Sequence, residues 1–243
     1  MVCPVKMAVS SLNGKGGGGG MATPETTTAI EVLGATQTAV ALGWSAGTIE
    51  QTYRLYRDGA VVHEGTAIHY VDHGLAAATT YEYTLTCVTS SGESDGVSVS
   101  VTTNSAVVLI TDRTAEDVYE GRAKGRYNAL DFIRVGEAVA YLEERFSTVG
   151  ISVPVSPKLD WQMDDIPTQA QALHYLEDIE VLRGKLLEYR ETVSAPDSLT
   201  SLTWGQANDI ETILLDSEKL IRDIILSYRY YSGRAISGVN TLP

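Results

Sequence analysis

The chain has 243 residues, a formal net charge of −13 and a sequence pI near 4.7. That acid excess disfavours nucleic acid, whose phosphates call for Lys and Arg, and it disfavours docking on anionic lipid. The acids are spread out, 9 with 4 bases over residues 1–104 and 22 with 14 bases over 105–243, which reads as a solvated surface. Two cysteines, Cys3 and Cys87, give no disulfide framework, and no run of 18 apolar residues suggests a membrane-spanning helix. The N-terminus lacks the apolar stretch of a secretory signal, so the expectation is synthesis in the cytoplasm without Sec export.

Residues 1–23 read as a flexible leader, because Gly16 to Gly20 hold no packed conformation cheaply, and Met21 is a candidate start. Residues 24–104 alternate apolar and polar side chains, the period of a strand. The predicted strands are Ala29–Leu33, Thr38–Trp44, Gln51–Arg57, Ala60–Glu64, Ile68–Asp72, Thr80–Thr89 and Gly96–Thr103. Asp58-Gly59 and Ser90-Ser91-Gly92 supply hairpin turns. Seven short strands at this spacing predict a β-sandwich, expected to fold alone.

The segment resembles a fibronectin type III domain. The matching residues are Trp44, the run Tyr53-Arg54-Leu55-Tyr56-Arg57-Asp58-Gly59, and Leu75 with Tyr81 six residues later. In that family the Leu and Tyr form a tyrosine corner, where the phenol binds a backbone group between sheets. Ala77 stands where the family usually has Pro. The resemblance implies a fold and leaves the role open.

Near residue 105 the period changes to three or four. Thr111 or Thr114 is positioned to cap a helix opening on Glu116 and Asp117, with Gly121 and Gly125 ending it. A second helix is predicted over Asn128–Ser147 on the stripe Phe132, Val135, Val139, Leu142 and Phe146. Residues 150–166 form an extended connection. Helices over Thr168–Glu191 and Trp204–Tyr230 follow, giving an α+β chain: a fibronectin type III-like sandwich (24–104) followed by a small helical bundle (105–243). The short join, Thr103-Asn104-Ser105-Ala106, predicts a fixed relative pose.

The strings TDRTAEDV (111–118), YNALDFIRVGEAVAYLEERF (127–146), DWQMDDIPT (160–168), LTWGQANDIETILLD (202–216) and SYRYYSG (227–233) resemble a helical module of tail-region virion proteins from bacteriophages of Gram-positive bacteria. The resemblance implies a virion structural protein of the tail, baseplate or fibre region. Its expected partners are other virion proteins, copies of itself and a weakly bound cell-surface glycan. A capsid decoration or neck protein is the alternative, and an accessory module of a secreted glycan-active enzyme is a further one.

No catalytic constellation stands out: there is no GxSxG elbow and no CxxC pair, and Cys87 sits mid-strand where packing is the default. No enzyme activity, cofactor or metal is expected. His63, His69 and His73 can cluster across strands as metal ligands, against a plain reading as surface histidines. Asp160, Asp164 and Asp165 flank Trp161 as calcium-type oxygen ligands, or as helix-capping acids on a loop anchored by Trp161. Tyr228, Arg229, Tyr230 and Tyr231 form a candidate interface, since Tyr and Arg are enriched at hot spots. The competing reading makes them a helix end stopped at Gly233.

Overall fold

The computed structural model describes residues 29–46 and 52–237, so the predicted leader 1–23 lies outside the described residues. Eight strands come first: β1 (Ile30–Ala35), β2 (Val40–Trp44), β3 (Thr52–Arg57), β4 (Ala60–Gly65), β5 (His69–Asp72), β6 (Thr80–Thr89), β7 (Gly92–Glu93) and β8 (Val97–Thr102). They form two antiparallel sheets. One has the order β1-β2-β5; the other runs β4-β3-β6, with β7 and β8 successively paired to β6. Asp58 and Gly59 both have positive φ, 49° and 82°, which fits the tight β3–β4 turn. The last predicted strand is β8, and the short β7 precedes it: the Ser94 hydroxyl accepts from the Cys87 amide, so residues 94–96 leave the ladder between β7 and β8.

The sandwich core is built from the inward positions Val40, Leu42, Trp44, Tyr53, Leu55, Tyr83, Leu85 and Cys87. Cys87 is a buried free thiol that packs there. Inside this apolar layer the Tyr83 hydroxyl donates to Asp72 at 2.8 Å, and Arg57 makes two bonds to the same carboxylate. A buried carboxylate needs such partners to offset its lost hydration. Burial and this bond push the Tyr83 phenol well above its ordinary pKa.

Four helices follow: α1 (Ala115–Tyr119), α2 (Ala129–Thr148), α3 (Gln169–Leu187) and α4 (Trp204–Ser237), with a 3₁₀ turn at Ala123–Gly125. The first three open on capping boxes, Thr114 with Asp117, Asn128 with Asp131, and Thr168 with Gln171. Each box satisfies orphan backbone donors reciprocally. Thr203 and Gln206 do the same at α4. Residues 106–110 join no ladder; the Ile110 amide donates instead to Glu211 on α4. Helix α3 stops at Leu187 rather than Glu191, where Tyr189 and Arg190 fold back onto the Leu186 carbonyl. The bundle core joins Val135, Val139, Leu142 and Phe146 of α2 to Ile179, Leu182 and Leu186 of α3 and Ile210, Ile213, Leu214 and Ile221 of α4.

Candidate functional site

A third apolar cluster belongs to neither half alone. Ala39, Ala41 and Val71, on the outer face of the β1-β2-β5 sheet, pack on Ala129 and Ile133 of α2 and on Trp161. Small side chains let the sheet approach the helix closely. A Cβ added to Gly34 would meet Leu130 Cδ1 at 2.7 Å. All five residues of β2 are buried, because one face lines the sandwich core and the other lines this junction.

Polar groups close the junction. Glu137, buried on α2, accepts from the Thr36 and Thr38 hydroxyls at 2.7 Å each and from the Thr38 and Gln37 amides at 2.8 and 3.2 Å. Those donors come from the β1–β2 turn, and a carboxylate meeting four of them is well compensated for burial. The Gln162 side-chain amide pairs with Val71 as a strand would: its oxygen accepts from the Val71 amide and its nitrogen donates to the Val71 carbonyl.

The structure separates the predicted metal histidines. Strand alternation sends His69 and His73 to the junction side, where His69 pairs with Asp164 at 2.8 Å and His73 Nε2 meets the Gln162 nitrogen at 3.0 Å. His63 sits on the other sheet and stacks on Tyr70, centroids 4.7 Å apart. Burial lowers the pKa of both His63 and His73. The three acids around Trp161 also diverge: Asp160 pairs with Lys158, Asp164 with His69, and Asp165 accepts from the Gln162 amide at 2.9 Å. They do not cap α3, whose capping residue is Thr168. Trp161 is the buried anchor of this loop, lying beneath Lys158 and donating its indole N–H to the Lys158 carbonyl. Among the described residues, no three His, Cys, Asp or Glu side chains converge on a metal-sized point.

Trp44 is buried against Tyr53 and His63. Leu75 is buried, and the Tyr81 hydroxyl accepts from the Ala76 amide at 2.9 Å. At the other end of the chain, α4 runs on through Gly233 to Ser237, so Gly233 does not stop it. Tyr228 is 67% exposed and Tyr230 57% exposed, Arg229 is exposed beside them, and the Tyr231 side chain lies outside the described residues.

Two features were not read from the sequence. One is a buried charge quartet: Arg113 bonds Asp131 at 3.0 Å and Glu211 at 2.7 Å, and Arg134 bonds the same two carboxylates at 2.7 and 2.6 Å. It locks the segment before α1 to α2 and α4. The other is a groove of about 960 Å³ lined by Tyr127, Phe132, Ile166, Leu173, Leu199 and Leu202. Its sequence signal was Ile166 and Leu173, apolar positions on no predicted stripe.

No family model matches the chain. A poly(3-hydroxybutyrate) depolymerase of Ralstonia pickettii is 43% identical over 101 residues, covering 40% of this chain and 20% of that enzyme. Exoglucanase B of Cellulomonas fimi is 36% identical over 115 residues, covering 42% and 10%. A second poly(3-hydroxybutyrate) depolymerase, from Delftia acidovorans, is 37% identical over 67 residues, covering 27% and 14%. The chain thus spans a fifth or less of the length of these curated relatives, and each match is on the scale of the sandwich. Among solved structures, the domain FN3tt shares 23% identity over 35% of this chain and 100% of its own, TM-score 0.32. The fibronectin type III domain of human fibronectin type III domain containing protein 3 shares 21% over 38% and 94%, TM-score 0.31.

The chain is a fibronectin type III-like sandwich followed by helices. The virion assignment is corrected: the curated relatives are polymer-degrading enzymes, not tail, neck or capsid proteins, and the virion location drawn from the helical resemblance falls with it.

Proposed function

We propose that this chain is a non-catalytic accessory segment of an exported polymer-degrading enzyme system, in which the sandwich is a spacer held in fixed orientation by the helices. The observation that carries this reading is the stretch of about 100 residues shared at 43% identity with a fifth of a poly(3-hydroxybutyrate) depolymerase. A shared segment that is small beside the whole enzyme, and recurs in a glucanase acting on a different polymer, fits a module that serves catalysis without performing it. Export follows from the substrate class, since a polymer too large to cross a membrane is met outside the cell. The junction supports the spacer role: an apolar layer and the bonds to Glu137 and Gln162 leave little freedom for the sandwich to swing.

The test uses the full chain and, separately, the chain fused to a catalytic domain active on poly(3-hydroxybutyrate) or on cellulose. The chain alone is expected to give no turnover on either polymer. The fusion is expected to raise hydrolysis of the solid polymer while leaving a short soluble substrate unaffected. Turnover by the isolated chain, or a fusion that never differs from its catalytic domain on solid polymer, overturns the reading.

A further inference from the structure

Two neighbouring grooves on the helical half share a wall. The larger, of about 960 Å³, is lined by Ile166, Leu173 and Leu199 together with Tyr127 and Leu202. The smaller, of about 340 Å³, is lined by Val118 and Trp204 and by the same Tyr127 and Leu202. The segments that lead into α2, α3 and α4 meet here, through Tyr127, Ile166 and Leu202. The two grooves make one continuous apolar surface, and much of it faces water. Ile166 is 86% exposed, Leu173 57%, and Tyr119, next to Val118, 91%. A contiguous run of exposed apolar side chains marks an interaction site.

Charge on this surface is sparse and divided. The charged residues that line it are Arg113, Arg126 and Asp197. Arg113 is committed to the buried quartet. Arg126 lines the smaller groove and Asp197 the larger, so opposite charges stand in opposite halves of the surface. Both side chains are exposed, and among the described residues neither forms an ion pair or a side-chain hydrogen bond, with the other or with any neighbour. An apolar middle flanked by one unanswered cation and one unanswered anion is complementary to itself.

We infer that this surface is the interface of a two-fold dimer of the chain. A half turn about an axis near Tyr127 and Leu202 lays the Val118–Trp204 half of one copy on the Ile166–Leu173 half of the other. The same rotation sets Arg126 of each copy opposite Asp197 of the other. An isologous contact makes every pair twice, so two ion pairs flank one shared apolar layer, and the contact closes at two copies. Bodies of net charge −13 repel, which favours contact through a charge-poor face that carries its own opposite charges. A neutral ligand would cover the apolar layer and leave both charges unanswered; a second copy answers both. This dimer goes beyond the accessory role and stands independently of it.

Sedimentation equilibrium of the full chain tests the inference, in a concentration series reaching high micromolar and in about 150 mM salt, where long-range repulsion is screened. Two single variants are compared, Arg126→Glu and Asp197→Arg. Both positions are exposed and unpaired, and circular dichroism melts check that each variant folds. The natural chain is expected to pass from monomer to dimer and no further. Each variant alone is expected to dimerise at least about tenfold more weakly, because its own dimer brings like charges together twice. An equimolar mixture of the two variants is expected to regain the dimer. In that heterodimer the two reversed charges face each other, and so do the two natural ones. A chain carrying Ile166→Ser with Leu173→Ser is expected to lose the dimer through its apolar layer. A mixture that associates no more tightly than either variant alone overturns the inference. So does growth beyond a dimer, and so does a natural chain that stays monomeric throughout, whether or not it adsorbs to solid polymer.

Discussion

The sandwich and the bundle solve the same problem, burying charge next to an apolar core, at different scales. In the sandwich a single carboxylate, Asp72, is satisfied by Tyr83 and by Arg57 from the facing sheet, and Arg57 keeps partial contact with water. In the bundle two carboxylates and two guanidiniums close on one another with almost no water access. Ladder hydrogen bonds already fix which strands meet in the sheets, so the sandwich needs little further specification. Helices satisfy their backbones internally and can slide on apolar faces; a buried charge constellation is one way to select a single arrangement. The two regions are held by different forces and should fail differently.

The largest failure is expected in the bundle. Glu211→Ala removes one of the two carboxylates that Arg113 and Arg134 share, leaving two buried guanidiniums on Asp131 alone, and is expected to cost about 3–5 kcal/mol, the range for breaking a buried ion pair. Urea unfolding followed by far-ultraviolet circular dichroism reads this as loss of helix at much lower denaturant. A variant that unfolds like the natural protein would show that the quartet does not hold the helices.

At the junction, Glu137→Ala removes the acceptor for the β1–β2 turn and leaves buried donors unmet. The expected cost is about 1–3 kcal/mol, with a broadened small-angle scattering profile as the halves loosen. In the sandwich, Tyr81→Phe deletes one bond, to the Ala76 amide, and is expected to cost about 1 kcal/mol in thermal melts, leaving the bundle unchanged.

The smallest expected effect is a pH dependence centred on His73. Burial among Trp161, Gln162 and Val71 keeps its folded pKa below the ordinary value of about 6.5, although Asp160 and Asp72 pull the other way. The unfolded chain then binds the proton more readily. Stability is complete above about pH 6.5 and declines as pH falls from there through the folded value. His63, half-buried against Trp44 and Tyr70, adds a decline of the same sign. His73→Asn is expected to flatten part of this slope, and an unchanged slope in stability-versus-pH titrations would assign it elsewhere.

The strands, the Asp58-Gly59 turn and the bundle stripes were legible because their periods survive folding: inward positions are apolar and turn positions demand positive φ. The junction was less so. Read as one strand, Thr38 to Trp44 shows Val40, Leu42 and Trp44 facing inward. The clue lay on the other face, where Ala39, Ala41 and Gly43 are small and apolar instead of polar. Helix α2 carries a matching second stripe, Ala129, Ile133 and Glu137, spaced by four beside the one that predicts the bundle. The quartet was invisible for a different reason. Arg113, Asp131, Arg134 and Glu211 look like ordinary surface charges, and only the packing of three separated segments brings them together. Gly233 misled because a glycine inside a helix costs only about 1 kcal/mol in propensity, and α4 passes through it.

Strand β2 has no wet face. A sandwich whose outer faces are polar is a portable bead that recombination can cut at its ends and splice into a new chain without injury. This one has surrendered that portability. Separation from its helices would uncover Ala39, Ala41 and Val71 and leave the turn at Thr36 to Thr38 without its carboxylate. Moved into another chain, this sandwich would need a replacement for that cover.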